Sequence, residues 1–200
     1  FPADTPETIR RDIAIIQEEL PLDIIEFFCL TPLPGSEDHQ VLWKSSIAME
    51  PDLNKYDVEH VCTAHSRMSD KEWQEIYHEA WLLYYTPAHM KTLLRRAVAT
   101  GVPIGNLAKY LLTFSTTDRL EHVHPLQGGI FRLKHPSERR PGLSRESPSA
   151  FWLRFGWEAF VKHSILLAAA ARLLFWQAVV TYSPGAGEYK DQALAPVSND

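Results

Sequence analysis

Phe1-Pro2-Ala3-Asp4-Thr5-Pro6-Glu7-Thr8 runs within three residues from an apolar Phe-Pro pair into a helix start. Asp4 or Thr5 can serve as N-cap, Pro6 sits where a first-turn proline is tolerated, and Glu7 favours the positive end of the helix dipole. A Phe-Pro that enters a capped helix so abruptly reads as the end of a strand whose body lies upstream. The chain is therefore expected to be the C-terminal part of a longer protein, with catalytic apparatus in the upstream part. Working outward, Ile9, Ile13, Ile16 and Leu20 recur at helical spacing, with Arg10, Arg11, Asp12, Gln17 and Glu18 largely on the other side. Leu20-Pro21 ends that helix, because the residue before a proline is pushed out of the α region. Ile24-Ile25-Glu26-Phe27-Phe28-Cys29-Leu30 then has the β-branched and aromatic content of a buried strand, stopped by the rigid Thr31-Pro32-Leu33-Pro34-Gly35-Ser36. Strand end, helix, strand and loop make one βα unit plus the next strand. Such units build parallel sheets or barrels whose active-site loops follow the C-terminal ends of the strands.

Beyond Gly35 the pattern changes. Residues 37–47 predict a short helix around Val41, Leu42 and Ile47, and 48–68 an irregular stretch with a short hairpin. Ser69-Asp70-Lys71-Glu72 is a capping-box pattern, followed by an apolar stripe of Trp73, Ile76, Tyr77, Ala80, Trp81 and Tyr84 opposite Glu72, Glu75 and Glu79. That stripe reads as core packing, with a cavity lining as the alternative. Thr86-Pro87 opens a second helix, closed near Gly101, and Pro103 opens a third with Ile104, Leu107, Leu111 and Phe114 inward. Residues 121–148 read as a connector with four prolines, Gly128-Gly129 and a basic cluster of Arg132, Lys134, Arg139, Arg140 and Arg145.

Two of these segments carry a family resemblance. Phe1 to Thr8 resembles the "GFPGET.E" segment that ends the fifth strand of the radical S-adenosylmethionine (radical SAM) barrel, and Leu30 to Ser36 resembles the "SP.PGT" turn after its sixth strand. The spacing between them also fits. The region downstream, including Met68-Ser69 before the Trp/Tyr-rich helix, resembles the C-terminal extension of radical SAM proteins that often carry an N-terminal cobalamin-binding domain. The implied fold is mainly α with a small α/β remnant: the last βα/β elements of a partial TIM-like barrel over 1–46, a helical extension over 47–120, the connector over 121–148, a long apolar helix over 149–182 and a flexible tail over 183–200. The resemblance implies reductive cleavage of SAM to a 5′-deoxyadenosyl radical in the intact enzyme. Phe1, Pro2 and Asp4 would lie near the SAM edge of the barrel, and Leu30, Thr31 and Pro32 near its adenine, in contacts made mainly by backbone and shape. No catalytic acid or base is implied. SAM and a [4Fe-4S] cluster are the cofactors expected of the intact protein, with cobalamin where that domain is present, and none is expected of this chain alone. Its expected partner is the missing N-terminal part of the barrel.

Departures from the family pattern set the limits of that reading. The CxxxCxxC motif supplies three thiolates to the cluster, whereas this chain has two cysteines, Cys29 and Cys62, far apart. Ala3 and Asp4 stand where Gly and Glu are commoner. The chain by itself is not expected to perform radical chemistry, which leaves its status as an enzyme open.

Composition excludes some classes. With 45% apolar residues, 200 residues can bury a sizeable core, and a net charge of −5 gives no general pull towards nucleic acid or anionic lipid. Two cysteines make no disulfide framework, and the first residues have neither a basic leader nor an apolar signal core; a reduced, cytoplasmic setting is expected, with membrane association as the alternative. Two further readings compete with the enzyme fragment. One is a non-catalytic helical module that binds a partner or a membrane surface through residues 151–182, where Ile165 to Val180 reads ILLAAAARLLFWQAVV. Residues 165–182 would extend roughly 27 Å as a helix. Arg172 in mid-segment costs about 2.5–3.5 kcal/mol on insertion, against roughly 2.4–4.8 kcal/mol returned by the strongly apolar residues. A buried helix, a surface helix and a span all stay open. The other reading is a small metal site at His60, Cys62 and His65, with His122 and His124 as loop residues. Cys29, inside an apolar run, reads as a buried small hydrophobe.

Overall fold

The computed structural model describes residues 2–128, 142, 144 and 146–195 and is mainly helical. The N-terminal helix α1 (Pro6–Glu19) starts where Thr5 and Thr8 exchange side-chain and backbone hydrogen bonds as a capping box, which selects Thr5 over Asp4 as the cap. A short helix α2 (Glu37–Lys44) follows Ser36, whose hydroxyl accepts from the His39 amide. The third, α3 (Asp70–Tyr84), opens on the Ser69–Glu72 capping box read from the sequence. Next comes α4 (Pro87–Thr100), capped by Thr86 and closed by Gly101 at φ 76°, a left-handed conformation that glycine adopts without strain. Beyond it are α5 (Ile104–Glu121), the single turn α6 (Pro125–Gly128) and the 34-residue α7 (Pro148–Thr181), whose N-cap is Ser147. Thus α5 reaches to the start of the expected connector and α6 lies within it. The basic residues Arg132, Lys134, Arg139, Arg140 and Arg145 lie outside the described residues.

The strand expected over 24–30 is the main correction. This segment joins no ladder, and among the described residues there is no strand, so the α/β remnant consists of a helix and an apolar segment without a sheet. A strand needs a hydrogen-bonded neighbour, and here other atoms take that place. The Tyr85 hydroxyl accepts from Ile25 N at 3.2 Å and donates to the Ile25 carbonyl at 2.7 Å, while Cys29 N donates to the Val58 carbonyl at 2.7 Å. The hairpin expected within 48–68 is reduced to one antiparallel bridge, Met49 to Thr63, flanked by a Glu50 N to Cys62 O bond of 2.9 Å.

The core is built on the aromatic stripe of α3. Trp73, Ile76, Tyr77, Ala80, Trp81 and Tyr84 are all buried, against Leu93, Leu94 and Ala97 of α4 and Leu107, Leu111 and Phe114 of α5. Ile13 of α1 packs on α3 from one side, and Leu173, Trp176 and Val180 of α7 close the far end against α4 and α5. Arg96 of α4, buried itself, donates to the Gln17 carbonyl at 2.8 Å and the Leu20 carbonyl at 3.3 Å near the C-terminus of α1, and to Asp191 at 2.7 Å. That ion pair, with buried Ala193, ties residues 191–193 to α1 and α4.

Candidate functional site

The residues singled out for cofactor contact fall on two borders of one loop, 57–68. Phe1 lies outside the described residues. Pro2 is exposed and its carbonyl accepts from the Ser66 hydroxyl, and Asp4 is half-buried beside the Thr5 cap. On the other border, Cys29 N bonds Val58 and the Cys29 thiol donates to the Glu59 carbonyl at 3.4 Å. Leu30 is exposed, Pro32 is buried, and the Thr31 hydroxyl donates to the Cys29 carbonyl at 3.0 Å. Loop 57–68 thus ties the start of α1 to the end of the apolar segment.

A polar cluster that the sequence did not point to lies beneath that segment. Phe27 meets Trp81 edge-on with centroids 5.3 Å apart, and Phe28 stacks on His124 at 4.6 Å. His124, expected as a loop residue, is fully buried, and its backbone amide donates to the Glu59 carboxylate. Its Nδ1 accepts from Leu126 N at 3.2 Å, which assigns the ring proton to Nε2. Burial pushes the His124 imidazole below its usual range, opposed by the Phe27 backbone. Gln74 donates to the Glu59 carbonyl at 2.8 Å and lies 3.2 Å from His78 Nε2; His78 Nδ1 in turn lies 2.9 Å from Asp118. The hydrogen bond to Asp118 raises His78 above its ordinary range, against the effect of its partial burial. Tyr77 Oη, Trp81 Nε1 and His124 Nε2 are buried atoms of this layer that make no hydrogen bond of ordinary geometry. Chemically, the cluster favours the protonated form of His78 and keeps three further donors dry under Phe27 and Phe28. Nothing in the sequence around His124 signals this, because its burial comes from α3 and from residues 27–28, far away in the chain.

The metal reading changes with the geometry. His60 Nδ1 pairs with Asp57 at 2.8 Å, the Cys62 thiol donates to the Lys55 carbonyl at 3.0 Å, and His65 Nδ1 accepts from Arg67 N and Met68 N. His60, Cys62 and His65 therefore serve three different local turns. Among the described residues, the group whose donor atoms converge is Asp57, Glu59 and His60, all within 4.8 Å of one another. Both cysteines are buried, and burial pushes the Cys29 thiol up to about 12 and the Cys62 thiol up to about 11. That is the reverse of a thiolate held ready for metal.

No protein-family model, curated protein or solved structure matches this chain.

Proposed function

We propose that the chain is the C-terminal portion of a radical SAM enzyme, in which the apolar segment at 24–30 becomes a strand by pairing with the rest of the barrel. The observation that carries this reading is an apolar edge left open on one side. Phe28, Leu30, Leu33, Val41 and Trp43 are 48–71% exposed along the segment and the helix that follows it. Phe27 and Cys29 of the same segment face inward, as alternate residues of a strand do. An exposed edge of this length invites pairing with further chain.

The donor set does not fit the iron–sulfur cluster. Two buried thiols, each pushed towards its protonated form, cannot supply the three thiolates of a CxxxCxxC site. The cluster and the chemistry of SAM cleavage would reside in the missing part. This chain's share would be to close the barrel and to present Leu30 and the backbone of residues 30–32 at its rim, with Pro2 and Asp4 across loop 57–68. The helical extension over α3 to α5 would then brace that rim through Phe27 on Trp81 and Tyr85 on Ile25.

The test is made on the native polypeptide. The coding sequence upstream of Phe1 is expected to continue in frame and to contain CxxxCxxC. The full protein, reconstituted anaerobically with iron and sulfide and then reduced, is expected to release 5′-deoxyadenosine from SAM. A native polypeptide without the cysteine triad, or one that leaves SAM intact, would overturn the proposal.

A further inference from the structure

Helix α7 is apolar on both sides, and only one side is used. Counted at about 100° per residue, the buried Phe151, Ala169, Leu173, Trp176 and Val180 fall within an arc of roughly 60° that packs on the rest of the molecule. Leu153, Trp157, Phe160, Leu167, Leu174 and Phe175 lie on the opposite side and are 64–76% exposed. That outer stripe holds no charged side chain along a helix about 50 Å long. Arg154 and Arg172 flank it on one border and His163 on the other.

The distribution of charge identifies what covers the stripe. Residues 129–182 contain eight Lys and Arg against three Glu, whereas the remainder of the chain contains twelve against twenty-two Asp and Glu. A protein that is acidic as a whole therefore concentrates its positive charge on and just before this helix. We propose that α7 lies in the plane of an anionic lipid surface, with the outer stripe in the acyl boundary and Arg154 and Arg172 among the headgroups. Trp152 and Trp157 near one end and Tyr182 at the other are the ring types that settle at that depth. A second copy of the chain fits less well, because a symmetric pairing of this face would bring like charges together.

The helix lies on the bilayer and does not cross it. By length and composition it could span, but spanning would strip Leu173, Trp176 and Val180 out of the core. It would also put Arg172 in mid-hydrocarbon and pull Lys162 away from Glu121 of α5, which binds it at 2.8 Å. This inference does not depend on the radical SAM reading, since α7 is remote in sequence from the apolar edge at 24–43.

Flotation tests it. The 200-residue chain, synthesised in the presence of vesicles, is expected to float at least tenfold more with phosphatidylcholine–phosphatidylglycerol (3:1) than with phosphatidylcholine alone, and to be released by alkaline carbonate. The L167D/F175D variant, altered only on the outer stripe, is expected to lose at least tenfold of that binding with unchanged helical circular dichroism. Should that variant unfold, quenching of the wild-type protein by brominated lipid, removed when Trp152 and Trp157 are both replaced by Phe, reads the same contact. Five results would overturn the inference. They are no flotation of the wild type, flotation indifferent to lipid charge, flotation or quenching indifferent to these substitutions, carbonate-resistant insertion, and self-association through the stripe in place of lipid binding. Flotation of the 200-residue chain but not of a longer native polypeptide would assign the stripe to another part of that protein and equally overturn it.

Discussion

Replacing Arg96 by Met tests the way α1, α4 and the tail are locked together. The Arg96 side chain is 5% exposed and its partner Asp191 is 19% exposed. The guanidinium makes three hydrogen bonds, to Asp191, Gln17 O and Leu20 O. Removing one partner of a buried ion pair costs about 3–5 kcal/mol, because the other charge stays desolvated. Asp191 retains some contact with water, so the lower end applies, about 3 kcal/mol. At this chain length that corresponds to a fall in Tm of roughly 6–12 °C. Asp191→Asn keeps an acceptor for the guanidinium and should cost less, about 1–2 kcal/mol. Urea unfolding followed by circular dichroism measures both variants, and the double variant R96M/D191N gives the coupling. The Asp191 carboxyl adds a pH signature. Burial alone would raise it, but the hydrogen bond and charge of Arg96 outweigh burial and hold it below the usual carboxylate range. Its contribution is therefore present above about pH 4 and is lost as the pH falls through the folded value. A loss below about 1 kcal/mol in R96M, or additive effects in the double variant, would refute the lock.

Three other outcomes follow from the same packing. His89 is pushed down to about 4 by burial and by Arg96, so between about pH 6.5 and pH 4 the unfolded chain binds a proton that the folded chain does not. Stability should fall by about 3 kcal/mol across that window, and a His89→Gln variant that leaves the fall unchanged would count against the neutral, buried imidazole. Cys29 and Cys62, pushed up to about 12 and about 11, should resist a thiol reagent at pH 8 in the native chain and react as two thiols in denaturant; rapid native labelling would contradict their burial. Leu111→Ala, at a fully buried core position of α5, should cost about 2–5 kcal/mol, whereas Leu153→Ala on the exposed stripe should stay within about 0.5 kcal/mol, as thermal melts of the two variants would show.

What could be read from the sequence was local. The Ser69–Glu72 capping box, the Thr86-Pro87 start and the Gly101 stop are each decided within a few residues, and the structure places all three as read. The inward stripe of α3 was equally plain, because six residues at helical spacing fix one face. What failed depended on distant partners. Residues 24–30 carry the composition of a strand, but composition cannot supply the neighbour a ladder requires, and Tyr85 takes that role from the C-cap of α3, sixty residues on. The cluster around His124 was hidden for the same reason: its lid is Phe28 and its floor Trp81, neither near it in the chain. Arg96 reads as one more polar residue of a helix and becomes a three-way lock only when α1 and the tail arrive.

Among the described residues two apolar surfaces stay open, and they differ in what can cover them. The edge at 24–43 alternates inward and outward side chains over 27–30 and, before α2, has backbone outside any helix, which suits another strand. The outer stripe of α7 offers none, because between its end turns a helix satisfies its own backbone. Only side chains are available there, and they are apolar in the middle and basic at the borders. A protein partner for such a stripe would need an acidic, apolar groove about 50 Å long, whereas an anionic lipid surface presents that chemistry everywhere. Backbone availability therefore separates the two surfaces: the first can pair with further chain, and the second can be covered only through its side chains.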